Sequence, residues 1–178
     1  MTDDGKSGAP AWHANVGRVL AAAEAAGLKI EIRRFSEGTR TAADAARAVG
    51  CDVSQIVKSL VFVAGEEPVL ALVSGSDRAD PDRLAAALAA DGTSAGMPVR
   101  RATADEAREA SGFAIGGIPP LGHTRPLTVL IDQNLLDHDV VWAAAGLPDA
   151  VFAVSPDLLA RAAGARVVAI ATDGPSGR

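Results

Sequence analysis

The chain has 178 residues, of which 48% are hydrophobic and 22% charged, and its formal net charge is −5. This length suits one domain with a sizeable core, and the acidic balance argues against binding of extended duplex nucleic acid through phosphate contacts. The single cysteine, Cys51, excludes an internal disulfide and a cysteine-based zinc cluster, and we interpret it as a small buried hydrophobe. The three histidines lack the spacing of metal ligands, so we expect neither a metal nor another cofactor.

The two ends of the chain are polar and rich in small residues. We therefore predict a disordered leader over 1–10, a single domain over 11–171 and a flexible tail over 172–178. The leader lacks the basic start and apolar run of a signal peptide. No apolar run approaches the ~20 residues that cross a membrane, so we expect a cytoplasmic protein without membrane contact.

The first half of the chain predicts two helices, a strand and a hairpin. Helical spacing of apolar residues, a hydroxyl cap and closing glycines indicate the helices, and apolar runs rich in β-branched residues indicate the strands. The predicted elements are a helix over 12–26, a strand over 28–35, a helix over 41–50, and two strands over 56–65 and 68–75. Because "GEEP" between the last two strands is typical of a turn, we expect a hairpin in the middle of a sheet.

The second half predicts three helices and four strands. The helices begin at cap residues, and the strands are short apolar runs. These elements are helices over 80–90, 103–112 and 155–164, and strands over 126–132, 138–146, 150–154 and 165–171. Strands arrive both in groups and separated by helices, which favours an α+β fold: a single domain with a mixed central β-sheet flanked by helices. No GxGxxG or GxxxxGK[ST] motif occurs, which argues against dinucleotide-binding and P-loop folds.

Lys58 stands among apolar residues in the predicted strand "IVKSLVFVAG". On a strand its side chain shares a face with Ile56, Leu60 and Phe62. Such a lysine either reaches solvent at the strand end or occupies a pocket where its charge orients a carboxylate, carbonyl or phosphate. Position alone leaves both interpretations open.

The segment "GGIPPLGH", Gly116–His123, cannot continue a helix or a central strand, because each proline lacks an N–H and fixes its own φ. Its glycines allow a close approach of the backbone to a ligand, and its prolines suit a rigid oxyanion-type site. A stiff connection between a helix and a strand is the structural alternative. Further on, Asp132 and Asn134 follow a predicted strand, where both residue types are typical of a turn.

Five segments follow one another in an order that is specific as a combination. They are "RTAADAARAVGCDVSQIVKSLVF", a second strand, "GGIPPLGH", "LTVLIDQNLL" and "VVWAAAGLPDAVFAVSPDLLARAAGARVVAIA". This order resembles the YbaK/ProX family of aminoacyl-tRNA deacylases, which is related to the editing insertion domain of bacterial prolyl-tRNA synthetase. The resemblance covers about residues 28–171.

The resemblance implies roles for individual residues. Lys58 matches the essential lysine of the family, and Gly116 and Gly117 match the glycine pair that lies against the aminoacyl group, so these three are the expected catalytic residues. The loop reads "GGIPPLGH" where some relatives carry Ser before Pro, a departure that bears on amino-acid specificity. The expected substrate-binding residues are Ser59, Ile118, Pro119, Pro120, His123 and Asp132.

By this resemblance the protein is expected to be a trans-editing hydrolase that removes a wrong small amino acid from mischarged tRNA by ester hydrolysis. The expected partner is the acceptor end of an aminoacyl-tRNA, presented by an aminoacyl-tRNA synthetase or an elongation factor. Two alternatives keep the same fold. One is a non-catalytic module that binds aminoacyl-tRNA or a small metabolite, and the other is a hydrolase of other small esters or amides.

Overall fold

Helices and strands alternate irregularly along the chain, whose residues 13–36 and 41–174 are described by the computed structural model. The helices are α1 (Ala14–Ala25), α2 (Ala42–Val49), α3 (Pro81–Ala90), α4 (Ala104–Ser111) and α5 (Pro156–Ala162). The strands are β1 (Ile32–Arg34), β2 (Val57–Ala64), β3 (Glu67–Ser74), β4 (Asp77–Ala79), β5 (Val99–Arg101), β6 (Thr128–Asp132), β7 (Val141–Ala144), β8 (Ala150–Val154), β9 (Arg166–Val168) and β10 (Ala171–Asp173). Two 3-10 helices span Val53–Gln55 and Gln133–Asp137.

The largest sheet has five strands in the order β5-β2-β3-β6-β9. Its centre is the predicted hairpin, in which β2 and β3 pair antiparallel from Val57 opposite Ser74 to Ala64 opposite Glu67. Strands β3, β6 and β9 run parallel to one another, so the sheet is mixed, as the sequence predicts. A three-stranded antiparallel sheet has the order β1-β8-β7, and β4 pairs with β10.

The central hairpin is apolar on both faces. On one face, Val61 and Leu72 join the larger core cluster, which includes Phe113 of the segment after α4. On the other face, Phe62 and Val73 pack in a second cluster that includes Leu84 and Leu88 of α3. Burial on both faces explains why the two strands appear in the sequence as continuous apolar runs and not as alternating ones. The α+β fold class is confirmed.

Helix boundaries follow the predicted caps. The Thr41 hydroxyl accepts from the N–H of Asp44 (3.1 Å), and the Asp44 carboxylate accepts from the N–H of Thr41 (3.1 Å). Gly50 ends the same helix in the left-handed conformation, at φ 77°. Thr103 and Glu106 form a second reciprocal cap at the start of α4. These caps satisfy backbone N–H groups that the first turn of a helix leaves without a partner.

The C-terminal strand prediction is wrong in one respect. Residues 165–171 form two strands, β9 and β10, which belong to different sheets. The Asp132 carboxylate accepts from the N–H groups of Ile170 and Ala171, each at 2.8 Å, and this anchors the chain where it leaves β9. Sequence spacing carries no sign of that contact, because Asp132 lies 38 residues before Ile170.

Other elements also differ from expectation. The strand predicted over 28–35 is confined to β1, and β4 and β5 were not predicted. Cys51 is half-buried against the small cluster of Ala45, Ala46 and Ile56. The predicted leader, 1–10, and the first residue of the predicted helix 12–26 lie outside the described residues. Of the predicted tail, Thr172 and Asp173 lie in β10, and 175–178 lie outside the described residues.

Within 13–36 and 41–174, no helix is both long enough and apolar enough to cross a bilayer.

Candidate active site

A cleft of about 330 Å³ opens beside β2. One wall is β2 itself, and the others come from α2, the loop after α4, and the turn between β7 and β8. Most of the lining is apolar, and the polar or charged side chains in it are Thr41, Lys58, Ser59, Arg101 and the indole of Trp142. An apolar cleft with a few convergent polar groups is typical of a small-molecule binding site.

The cleft exists because β2 is paired along only part of one edge. On that edge β5 pairs with β2 at Phe62–Ala64, and the N–H of Ala102 donates to the C=O of Val61 (3.0 Å). At the other end, Ile56 forms a single bridge with Trp142. Between these points no described strand covers the edge, so the backbone there faces the cleft.

Backbone groups of Ser59 point toward this open edge. In an antiparallel strand, the N–H and C=O of one residue point to the same side, and successive residues alternate. The Val61 carbonyl points toward β5, whereas the Ile56 carbonyl accepts from Gly75 on the β3 side (2.7 Å). Ser59 lies two residues from Val61, so its N–H and C=O face the cleft and are available to a ligand.

The Ser59 hydroxyl is also unsatisfied. Its oxygen is buried and has no hydrogen-bond partner among the described residues, although Ser59 lines the cleft. A buried hydroxyl without a partner costs about 1–3 kcal/mol, and such groups are uncommon in folded proteins. A polar atom of a ligand would supply the missing partner.

Lys58 is half-buried at the same wall, and its Nζ donates to the backbone C=O of Asp77. Burial lowers the pKa of Lys58; the charge of Asp77 opposes this shift, and the charges of Arg101 and Arg78 reinforce it. An ammonium group has three donors, and the other two have no acceptor among the described residues. Lys58 can therefore donate to a ligand without breaking its bond to Asp77.

The first two glycines of the loop, Gly116 and Gly117, have different physical roles. Gly116 lines the cleft at φ 95°, in the left-handed region that favours glycine, and a Cβ there would meet no other atom within 4 Å. Gly117 packs against the backbone of Leu147, where a Cβ would lie 2.9 Å from Cα. The N–H of Gly117 donates to the C=O of Ala114 (3.1 Å) and is committed to the turn. The donor that this pair can offer to a ligand is therefore the N–H of Gly116.

The rest of the loop supports this wall. Ile118 lines the cleft and is 4% exposed, whereas Pro119 and Pro120 are buried outside the lining. The Nε2 of His123 hydrogen-bonds to the C=O of Pro119 (2.8 Å), and its ring meets Phe113 edge-on with centroids 6.5 Å apart. Burial lowers the pKa of His123, which favours the neutral ring. These two contacts of His123 help to fix the conformation of the loop.

The structure brings together four of the nine expected residues at the cleft: Lys58, Ser59, Gly116 and Ile118. Gly117, Pro119, Pro120 and His123 belong to the same loop but lie outside the lining. Asp132 lies away from the lining, where its carboxylate binds backbone N–H groups.

Among the lining residues outside the expected set, three have polar or aromatic side chains: Thr41, Arg101 and Trp142. The sequence indicated Thr41 only as a helix cap. Arg101 lies in β5, a strand that the sequence did not predict. Trp142 is one apolar residue in a predicted strand, and the guanidinium of Arg33 lies 4.9 Å from its ring centroid. The rarity of tryptophan, of which the chain has two, is the sequence signal that could have indicated it.

Comparison with known proteins gives concordant matches. The model of the aminoacyl-tRNA editing domain matches residues 36–162. A solved structure described as a "putative trans-editing enzyme for prolyl tRNA synthetase" is 41% identical, with a TM-score of 0.82 over 91% of this chain and 99% of that one. The YwhH protein of Bacillus subtilis is 25% identical over 71% of this chain and 76% of its own length.

Proline–tRNA ligases also match over part of their length. That of Limosilactobacillus fermentum is 31% identical over 108 residues, which are 58% of this chain and 18% of the ligase. The chain therefore spans less than a fifth of that ligase.

We predict that Gly116→Ala and Gly117→Ala impair ligand binding in the cleft for different reasons. Alanine at 116 meets open space but an unfavourable φ, which costs about 1 kcal/mol. Alanine at 117 meets the Leu147 backbone and displaces the loop. Thermal unfolding and ligand titration of both variants measure these effects, with Gly92→Ala as the control for a left-handed glycine away from the cleft. A Gly117→Ala variant with wild-type stability and binding would contradict the close packing.

We predict that His123 makes the stability of the fold pH-dependent. Because burial holds its pKa below the usual 6.5, the unfolded chain binds its proton first as the pH falls. The free energy of unfolding therefore falls as the pH drops below about 6.5 and through the folded-state pKa. Urea unfolding between pH 7.5 and 5 should show a smaller decline for His123→Gln than for the wild type.

His138→Gln is the matched control and should keep the wild-type decline. An equal decline in the wild type and His123→Gln would exclude this role of His123.

Proposed function

Because the chain belongs to the family of aminoacyl-tRNA editing domains, we propose that it hydrolyses the ester between a wrong small amino acid and the terminal adenosine of a tRNA. The observation that carries this proposal is the open edge of β2, where Lys58, Ser59 and Gly116 line one apolar cleft. An aminoacyl ester has both an apolar side chain and several polar atoms, and this lining offers a partner to each kind of group.

The tRNA we propose is the proline acceptor. Support comes from the relatives, since one solved structure is described as acting for prolyl tRNA synthetase and proline–tRNA ligases match more than half of the chain. The chain would act on the acceptor end alone, which fits its net charge of −5 because few phosphate contacts are then needed. A synthetase or an elongation factor would present that end.

The walls of the cleft support specificity for a small amino acid. Ala42, Ala45, Ile118 and Leu147 surround the cleft with packed apolar atoms, which exclude larger side chains by steric contact. Binding alone discriminates between small apolar residues only about 10–200-fold. We therefore expect activity on more than one of alanine, cysteine, serine and threonine, with proline excluded or slow.

The hydrolytic step assigns a role to each polar group. Water attacks the ester carbonyl carbon, the bond from that carbon to the ribose oxygen breaks, and the ribose oxygen takes up a proton. The N–H of Gly116 and the ammonium of Lys58 would stabilise the negative charge that develops on the carbonyl oxygen, and one such donor contributes about 3 kcal/mol. The neighbouring ribose hydroxyl would help to activate the water.

The remaining expected residues would bind the amino acid or support the site. Ser59 would bind the α-amino group or the side chain of the amino acid through its hydroxyl and backbone C=O. Ile118 would contact the amino acid, and Gly117, Pro119, Pro120 and His123 would fix the loop that carries Gly116. Asp132 would support the fold near Lys58 through its hydrogen bonds to backbone N–H groups.

We predict that Lys58→Ala lowers kcat/KM for deacylation by about 100-fold or more, because a charged donor at the developing oxyanion is lost. The assay follows ester loss from proline tRNA charged with alanine, cysteine, serine, threonine or proline. Lys29→Ala is the matched control, since Lys29 is exposed and lies outside the cleft lining.

Near-wild-type turnover by Lys58→Ala would remove Lys58 from the mechanism. Binding of the charged tRNA by the wild type without turnover of any ester would instead support a non-catalytic binding module. Faster hydrolysis of free amino-acid esters than of charged tRNA would indicate a hydrolase of small esters.

A further inference from the structure

We propose that Asp77 and Asn134 are positioning residues for Lys58, acting through a partly buried hydrogen-bond network that reaches the lysine from outside the cleft. The proposal deepens the proposed function and rests on the role given to Lys58 there. Neither Asp77 nor Asn134 lines the cleft, so neither would touch the substrate.

The first link joins Lys58 to Asp77. The ammonium of Lys58 donates to the backbone C=O of Asp77, and the side chain of Asp77 is buried in the short strand β4. The Asp77 carboxylate accepts from the Nδ2 of Asn134 (2.9 Å) and lies 3.2 Å from the hydroxyl of Ser76, which donates to it. This carboxylate forms no close ion pair with any described Lys or Arg, so its charge remains available to the nearby ammonium.

The second link fixes Asn134. Its backbone N–H donates to the Oδ1 of Asp132 (3.0 Å), while the Oδ2 of Asp132 holds the N–H groups of Ile170 and Ala171. Ala171 begins β10, and β10 pairs with β4, where Asp173 lies opposite Asp77. The network therefore holds Asp77 both through its side chain and through its strand.

Charged groups around Lys58 influence the pKa of its ammonium group. The charged groups that face Lys58 are Asp77 and Arg78 of β4 and Arg101 of β5, and burial and the two arginines lower the pKa of Lys58 whereas Asp77 raises it. An ammonium that loses its proton loses the charge that binds an oxyanion. Asp77 therefore widens the pH range over which Lys58 stays charged, and Asn134 keeps the carboxylate in place.

A role in stability alone is the competing explanation, because buried polar networks also rigidify folds. The two explanations differ in what they predict for Lys58 itself. A purely structural Asp77 leaves the titration of Lys58 unchanged in a variant that still folds, whereas a positioning Asp77 does not. The substitution Asp77→Asn tests this directly, because it removes the charge and keeps both the side-chain shape and the backbone carbonyl.

The experiment is an NMR titration of the full chain labelled with ¹³C-lysine, followed by a pH profile of deacylation. The chain has three lysines, Lys6, Lys29 and Lys58, so Lys58→Arg assigns the resonance. In Asp77→Asn we expect the Lys58 pKa to fall and the alkaline limb of kcat to move to lower pH by the same amount. Past that pKa the rate falls about tenfold per pH unit.

Asn134→Ala provides a second variant. It keeps every charge, so we expect a fall in kcat of between about ten- and 100-fold from misplacement of Lys58, with KM nearly unchanged. Asp157→Asn, an exposed charge in the first turn of α5, is the matched control and should match the wild type in both readouts. If Asp77→Asn does not fold, as judged by circular dichroism, Asn134→Ala decides the question.

The outcomes separate this proposal from the proposed function. An unchanged Lys58 pKa in folded Asp77→Asn, or an unchanged kcat in Asn134→Ala, would overturn the positioning role even if the wild type is an active deacylase. A wild type that hydrolyses no aminoacyl-tRNA would contradict the proposed function, and the NMR titration would then test the link between Asp77 and Lys58 without reference to activity.

Discussion

The site depends on an interrupted strand pairing. Strand β2 has a full partner in β3 on one edge, but on the other edge it is paired only at Phe62–Ala64 and bridged at Ile56. The stretch between these points cannot be covered without closing the cleft. An uncovered strand edge is usually a liability for a protein, because it invites pairing with another chain. Here α2, the loop around Gly116 and the β7–β8 turn line the cleft beside this edge.

The other features of the site support the two sides of the cleft beside that open edge. Gly116 adopts a left-handed conformation, and Gly117 lets the loop approach Leu147 closely enough to form a wall. His123 holds the same loop through the carbonyl of Pro119. On the opposite side, the network of Asp132, Asn134 and Asp77 ends at the ammonium of Lys58. The two walls are thus supported separately: the loop by packing and the hydrogen bond of His123, and the Lys58 side by a partly buried hydrogen-bond network.

The sequence predicted the parts of this arrangement that depend on local patterns. Capping residues such as Thr41 mark helix ends, apolar runs mark the β2–β3 hairpin, and a lysine in such a run indicates an unusual environment. Contacts between distant segments could not be predicted in this way. The division of 165–171 into two strands depends on Asp132, and the surroundings of Lys58 depend on Asp77 and Asn134, which lie 19 and 76 positions further along the chain. Residue type and spacing identify candidates, but the partner that a buried polar group selects is set by the tertiary fold.

The most direct test of the central claim is an amide-proton NMR titration with a non-hydrolysable analogue, in which alanine is joined to the terminal adenosine through an amide bond. The account predicts that the largest shifts occur at the N–H groups of Ser59 and Gly116, because these groups would bind the aminoacyl end directly. Shifts confined to another surface, such as the β4–β10 pair, with none at Ser59, would contradict the claim that the open edge of β2 is the binding site.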